Sequence, residues 1–257
     1  KHIAHIAADK MMPVSLELGG KSPTMVLEDA DLDHAVNGVL YGIFSSSGES
    51  CIAGSRLFVA RGIYDEFLTR LAEGANALRV GDPASERTQM GPLITAKHRE
   101  GIERYVELGV SEGGRIRTGG VRPQGAGCDS GYFYRPTIIE GLDNGARTSQ
   151  EEIFGPVLVA MPFDDEASLI AQANDSVYAL AAGVWSRDFK RAWKLGRAVQ
   201  AGTVWVNTYK QFSVSTPFGG WRDSGLGREK GREGIFQYME QKSMYWGTNE
   251  QPLAWAN

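Results

Sequence analysis

The feature that most constrains the fold of this 257-residue chain is a repeated alternation of short apolar segments with longer amphipathic ones. The clearest amphipathic segment runs from Leu32 to Phe44, where apolar side chains recur at helical spacing. We expect Asp31 to cap this helix, because its carboxylate can accept a hydrogen bond from a backbone N–H of the first turn. Strands that alternate with such helices are typical of βαβ units. The sequence therefore predicts an α/β fold whose mostly parallel sheet is flanked by helices.

The predicted elements follow one another along most of the chain. We expect strands at residues 14–18, 24–27, 56–60, 115–118, 134–140, 157–163, 182–185 and 203–206. We expect helices at residues 32–44, 64–78, 95–108, 166–174 and 189–200. Pro136 falls inside the strand at 134–140, and proline has no N–H to donate to a neighbouring strand. That strand is therefore predicted to lie at a sheet edge or to begin at the proline.

Composition and charge argue against several functional classes. The formal net charge is −4 with acidic and basic residues interspersed, so no stripe suits nucleic acid or an anionic membrane. No apolar run approaches the ~18 residues that a membrane-spanning helix needs. Two cysteines, Cys51 and Cys128, form no disulfide framework, which favours a reducing compartment, and we expect a cytoplasmic protein. No metal site is expected, because no group of His, Cys and carboxylate residues has ligand spacing.

Three features could carry chemistry, and each also has a purely structural explanation. Cys51 lies in a Gly/Ser-rich loop between a helix and a strand, where it is either a small buried side chain or a nucleophile in a cleft. Glu17 alternates with Leu16 and Leu18, so it is either a solvent-facing strand residue or a base tuned by its surroundings. Residues 151–156 (EEIFGP) are either a helix end with a Gly-Pro turn or part of a site. The residues by themselves leave these alternatives open.

Four segments resemble, in the right order, motifs of the aldehyde dehydrogenase superfamily. Residues 17–23 (ELGGKSP) resemble its glutamate active-site motif, and residues 44–56, with GESC at their centre, resemble its cysteine motif. Residues 151–156 resemble a segment that contacts the cofactor, and residues 217–229 resemble the C-terminal signature. The resemblance covers essentially the entire chain. It implies the catalytic domain of that fold, preceded by the end of a Rossmann-like cofactor domain.

The resemblance also implies a function. Members of the superfamily oxidise an aldehyde to a carboxylic acid with NAD or NADP, and NAD is favoured here. By this similarity Cys51 is the nucleophile, which forms a thiohemiacetal and then a thioester. Glu17 is the base that activates the hydrolytic water, and its presence favours the hydrolytic branch over the coenzyme-A-acylating one. The implied partners are a small aldehyde and further copies of the chain, in a homodimer or homotetramer.

The same similarity assigns binding residues. The expected cofactor-binding residues are Glu152, Phe154, Leu18 and Gly19. Among them Glu152 would bind the nicotinamide ribose, and Phe154 would pack beside it. The expected aldehyde-binding residues are Phe218 and Asn207, for which packing or capping is an equally good explanation.

Family members are about twice as long as this chain, so we expect a catalytic half that lacks the Gly-rich pyrophosphate turn. Within it, residues 1–18 are expected to end the dinucleotide-binding domain, 19–230 to form the catalytic domain and 231–257 to form a C-terminal tail. Residues 241–246 of that tail are predicted to be an oligomerisation strand. Two alternatives to the oxidoreductase stay open, which are a catalytically silent fragment and a cofactor-independent cysteine esterase or thioesterase.

Overall fold

Helices and strands alternate along the chain as the sequence predicts. The structure, a computed structural model, describes residues 1–125 and 127–248. The helices are α1 (His2–Asp9), α2 (Leu32–Phe44), α3 (Tyr64–Ala77), α4 (Ala96–Ser111), α5 (Arg147–Gln150), α6 (Glu166–Asn174), α7 (Phe189–Ala198) and α8 (Gly231–Phe236). The strands are β1 (Leu16–Glu17), β2 (Pro23–Val26), β3 (Arg56–Ala60), β4 (Arg115–Thr118), β5 (Thr137–Glu140), β6 (Val157–Phe163), β7 (Tyr178–Ala179), β8 (Ala181–Trp185), β9 (Thr203–Val206), β10 (Trp221–Arg222) and β11 (Gly225–Leu226). Short 3₁₀ turns cover Ser45–Gly48 and Arg61–Ile63.

The main sheet has seven strands in the order β4-β5-β6-β3-β2-β8-β9. All neighbouring strands run parallel except β4 and β5, which are antiparallel. Two small antiparallel pairs, β1 with β11 and β7 with β10, lie outside this sheet. The predicted α/β class with a mostly parallel sheet is confirmed.

Helices cover both faces of the sheet and bury alternate residues of its strands. One core cluster joins α2 and α3 to the sheet and includes Val26, Leu57, Val59, Phe67 and Leu68. A second cluster joins α4, α6 and α7 to the sheet and includes Met25, Phe58, Ile102, Leu169 and Leu195. Successive side chains of a strand therefore point to opposite faces of the sheet. Each large buried side chain contributes roughly 1.5–3 kcal/mol to folding.

Three predicted strands differ from the observed ones. The strand predicted at 14–18 is only two residues long and pairs with β11 outside the main sheet. The strand predicted at 134–140 begins after Pro136, but the edge position was wrong, because β4 pairs with its outer side. Residues 241–246, predicted as an oligomerisation strand, are exposed and have no regular secondary structure in this single chain. The rest of the tail, 249–257, lies outside the described residues. No helix in the described part of the chain is long and apolar enough to cross a membrane.

Candidate active site

Three of the four motif segments lead into parallel strands. Residues 17–22 precede β2, residues 45–55 precede β3, and residues 151–156 precede β6. Since β2, β3 and β6 are parallel and close together in the sheet, the segments before them meet at one edge. This topology brings together motifs that are far apart in the sequence.

The loop that ends at Cys51 has an unusual backbone. Ser46, Ser47 and Gly48 have φ values of 55°, 55° and 73°, in the left-handed region that favours glycine. A Cβ on Gly48 would lie 2.2 Å from the carbonyl oxygen of Gly155, so the loop rests directly on the 151–156 segment. The Ser47 hydroxyl donates to the carbonyl of Gly91 at 3.0 Å. These contacts fix the approach of the chain to Cys51.

Cys51 is half-buried beside an aromatic and aliphatic cluster. Cys51 and Phe218 both pack against Ile52, Leu180, Ala181, Trp205 and Tyr209. Burial raises the pKa of the Cys51 thiol, and the charges of Glu17 and Glu152 raise it further. The thiol is therefore protonated at neutral pH in this chain, and a nucleophilic role requires a base that removes its proton.

Glu17 is held by the C-terminal signature segment. β1 pairs with β11, which sets Glu17 opposite Gly225. A Cβ on Gly219 would lie 2.8 Å from Oε1 of Glu17, so this glycine lets the backbone reach the carboxylate. As a residue Glu17 is exposed, as its alternation predicts, yet partial burial of the carboxylate is the main cause that raises its pKa. Glu229 raises the pKa of Glu17 further, while Arg228 lowers it.

Gly19 and Gly20 bring Glu152 close to the cysteine segment. A Cβ on Gly20 would lie 2.3 Å from the carbonyl oxygen of Cys51, and a Cβ on Gly19 would lie 2.2 Å from Oε2 of Glu152. The backbone N–H of Gly20 donates to Oε1 of Glu152 at 2.9 Å. A side chain at position 20 would collide with the backbone of Cys51, so glycine is required there, whereas a side chain at position 19 would displace the carboxylate of Glu152.

Two buried cations, which sequence analysis did not single out, support this edge. Lys21 Nζ donates to the carbonyl of Glu151 at 2.6 Å, and burial together with Arg56 lowers the pKa of Lys21 to about 7. Arg56 Nε donates to the carbonyl of Lys21 at 2.9 Å, while its Nη1 donates to Oδ1 of Asn144 at 2.8 Å. Both residues lie inside the motif segments, but nothing in the spacing indicates that they are buried.

Three of the four predicted cofactor-binding residues line one cleft. This cleft has a volume of about 490 Å³, and Leu18, Gly19 and Glu152 lie in its wall. Oε2 of Glu152 accepts no hydrogen bond from the described residues, so it is free to accept one from a ligand hydroxyl. Burial raises the pKa of Glu152, while the Gly20 N–H and Lys21 lower it.

Phe154, the fourth predicted cofactor-binding residue, is not part of the cleft lining. Phe154 is 39% exposed, its φ is 57°, and its carbonyl oxygen lies 2.7 Å from Nε2 of His98. The non-glycine left-handed backbone turns this residue outward just before the Gly155 contact with the cysteine loop. An exposed aromatic ring in this place can pack on a planar ligand group.

The two predicted aldehyde-binding residues have different environments. Phe218 packs against the cluster beside Cys51. Asn207 instead bridges two strand ends, because its Oδ1 accepts from the Ser186 N–H at 3.0 Å and its Nδ2 donates to the Ser186 carbonyl at 2.8 Å. Asn207 therefore acts as a cap, and we do not propose it as a substrate-binding residue.

Comparison with known proteins decides the family. The family model described as "Aldehyde dehydrogenase family" matches residues 1–244. This chain belongs to the aldehyde dehydrogenase family. The betaine aldehyde dehydrogenase of Bacillus subtilis is 40% identical over 257 residues, which are 100% of this chain and 52% of that relative.

Solved structures of aldehyde dehydrogenases share the fold of this family member. A betaine aldehyde dehydrogenase from Staphylococcus aureus in complex with NAD⁺ superposes with a TM-score of 0.96 at 38% identity, covering 100% of this chain and 51% of that one. An NAD⁺ complex of an aldehyde dehydrogenase from Bacillus cereus has a TM-score of 0.92 at 40% identity, covering 96% of this chain and 50% of that one. The chain spans about half the length of the relatives it matches.

Proposed function

We propose that this chain carries the catalytic centre of an aldehyde dehydrogenase that oxidises an aldehyde to a carboxylic acid with NAD. The observation that carries the proposal is the convergence of Cys51, Glu17 and Glu152 at one sheet edge, where both carboxylates act on the thiol. A nucleophile, a base and a cofactor-binding acid are the groups that this reaction needs.

Cys51 begins the reaction as nucleophile. Glu17, directly or through a water molecule, takes the proton of the Cys51 thiol, which its raised pKa allows near neutral pH. The thiolate then attacks the aldehyde carbon, the C=O π bond breaks, and the backbone N–H of Cys51 stabilises the oxyanion of the resulting thiohemiacetal. Bound NAD would supply the hydride acceptor, and loss of hydride leaves an acyl thioester on Cys51.

Glu17 acts again in the hydrolysis of the thioester. After its first proton has passed to solvent, Glu17 takes a proton from a water molecule, whose oxygen attacks the acyl carbon. The carbon–sulfur bond breaks, the carboxylic acid leaves, and Cys51 is released as a thiolate that recovers a proton. The same residue therefore serves both halves of the cycle, which matches the hydrolytic branch.

The residues of the cleft suit a dinucleotide cofactor. We propose that Oε2 of Glu152 accepts a hydrogen bond from the nicotinamide ribose, with Leu18 and Gly19 near the ring and Phe154 beside it. The NAD⁺ complexes of the relatives support NAD as the cofactor. The expected domain limits, homo-oligomer and reducing cytoplasmic location remain part of this proposal.

A turnover assay with matched variants tests the proposal. The protein is mixed with NAD and a panel of aldehydes, and NADH is followed by absorbance. We expect Cys51→Ser to remove turnover by at least about 10³-fold, because hydride loss requires the sulfur adduct. Cys128→Ser is the control, since this second cysteine is buried elsewhere, and it should retain activity.

Either alternative would be recognised in the same assay. Turnover that survives in Cys51→Ser contradicts the proposed nucleophile. Ester hydrolysis that needs Cys51 and Glu17 but not NAD, without NADH formation from any aldehyde, indicates the cysteine esterase. The absence of both NADH formation and ester hydrolysis indicates a catalytically silent chain.

A further inference from the structure

A lysine that the proposed reaction does not use lies close to the nucleophile. Lys210 follows β9, has a left-handed backbone with a φ of 54°, and is half-buried. Its Nζ donates to the hydroxyl of Ser45 at 2.7 Å and lies 5.9 Å from the centroid of the Tyr41 ring. Ser45 begins the turn that leads to Cys51, so the ammonium is fixed on the α2 side of the cysteine loop.

Among the described residues, the ammonium of Lys210 has no anionic partner. In residues 1–125 and 127–248, no carboxylate forms an ion pair with Lys210. The charge of the Cys51 thiolate is the one that raises the pKa of Lys210. Burial lowers the pKa of Lys210 to about 8, so the side chain is still mostly charged at pH 7. A half-buried cation without a counter-ion is costly unless an anion binds beside it.

The aromatic residues next to Cys51 carry a second ammonium. Phe212 contacts Trp205 and Phe218 edge-on, with ring centroids 5.4 and 5.5 Å apart. Lys230 Nζ lies 4.1 Å from the Phe212 centroid and 5.9 Å from that of Phe218. Besides the carboxylates of Glu17 and Glu152, the surroundings of Cys51 therefore contain apolar rings and two ammonium groups, which suit a substrate with an apolar body and an anionic end.

We propose that Lys210 is a specificity-determining residue that selects aldehydes bearing a carboxylate or another anionic group. That the substrate is an aldehyde rests on the proposed function. The position of the Lys210 ammonium beside the cysteine loop does not depend on it. It separates this chain from the relatives named for betaine aldehyde, since that aldehyde carries a quaternary ammonium, which Lys210 would repel.

Charged thiol reagents test the proposal without cofactor or turnover. Three methanethiosulfonates are used, with an anionic sulfonatoethyl group, a neutral methyl group or a cationic trimethylammonium-ethyl group. In each case the Cys51 thiolate attacks the reagent sulfur, a disulfide forms and methanesulfinate leaves. The rate of modification is measured by intact mass at pH 7 and low salt, in a Cys128→Ser background so that one thiol reacts.

The variants separate local charge from net charge. Lys210→Met removes the ammonium, Lys210→Arg keeps the charge, and Lys194→Met removes the same charge from α7, where Lys194 pairs with Glu166. In Lys210→Met we expect the ratio of the anionic to the cationic modification rate to fall about tenfold. The variant loses both the attraction of the anionic reagent and the repulsion of the cationic one. In the other two variants this ratio should change less than about twofold.

Two outcomes would overturn the proposal. An unchanged ratio in Lys210→Met shows that Lys210 does not select by charge at Cys51. An equal slowing of all three reagents shows that Lys210 acts on the thiolate instead of the incoming group. Since labelling needs no NADH, a chain without turnover still tests this inference. If turnover is found, kcat/KM should favour an ω-carboxylate aldehyde over betaine aldehyde, and Lys210→Met should raise KM for the former.

Discussion

Cys51 lies near two acidic side chains, and both of them disfavour its thiolate. Glu17 and Glu152 each raise the pKa of the thiol beyond the effect of burial. This electrostatic arrangement keeps the cysteine protonated until a base removes the proton, which limits its reaction with stray oxidants and electrophiles. The pKa of Glu17 is raised, so its carboxylate is a stronger base than an ordinary carboxylate.

The pH dependence of alkylation tests this electrostatic arrangement. A neutral reagent such as iodoacetamide reacts with the thiolate, so its rate rises as pH passes the pKa of Cys51. Removing a negative charge from Glu17 or Glu152 lowers that pKa, because the thiolate is then repelled less. We expect Glu17→Gln and Glu152→Gln each to move the rate profile to lower pH and to speed alkylation roughly threefold at pH 8.

A remote glutamate provides the control for that experiment. Glu73 lies on the exposed face of α3, and Glu73→Gln should leave the profile in place. A profile that moves equally in all three variants would show a general effect of net charge. A profile that moves in none of them would show that the two carboxylates do not act on Cys51.

At the scale of elements, sequence patterns predicted the helix and strand ends that local interactions determine. Helix α2 begins and ends where the periodicity placed it, and its Asp31 cap accepts from the His34 N–H at 3.1 Å. Strand β6 and helix α6 also match at both ends. Capping and periodic burial depend on residues within a few positions of one another, so the sequence alone reveals them.

The remaining features depend on partners that are distant in the sequence. Glu17 pairs with Gly225, about 200 residues later, and no local pattern indicates this pairing. The close contact of Gly48 with Gly155, and the place of Lys210 beside the cysteine loop, both arise from how the parallel strands are ordered. The roles expected for Cys51 and Glu17 came from family resemblance, because their residue patterns alone also fit structural roles.

At the scale of the whole molecule, the exposed tail raises the question of assembly. Tyr245 and Trp246 are 96% and 84% exposed, and large aromatic side chains in such positions are typical of surfaces that pair with another chain. We expect deletion of residues 242–257 to reduce the molar mass measured by light scattering from that of an oligomer to that of a monomer.

A shorter deletion is the matched control for the tail. Removal of residues 249–257 alone leaves Tyr245 and Trp246 in place and should preserve the oligomer. An unchanged molar mass after the longer deletion would contradict assembly through the tail. A loss of mass after the shorter deletion would assign assembly to its last residues instead.

The central claim is that Cys51 forms the acyl intermediate and that Glu17 releases it. The most direct measurement uses Glu17→Gln, incubated with NAD and an aldehyde that supports turnover, quenched in acid and mapped by mass spectrometry. We expect the peptide that contains Cys51 to gain the mass of the acyl group, with about one NADH formed per site. Loss of the Glu17 charge favours the Cys51 thiolate, which forms by proton exchange with solvent, whereas the thioester hydrolyses slowly without its base. The unaltered protein should show little of this adduct. An acyl group on another residue, or NADH formed repeatedly without any adduct in the variant, would contradict the claim.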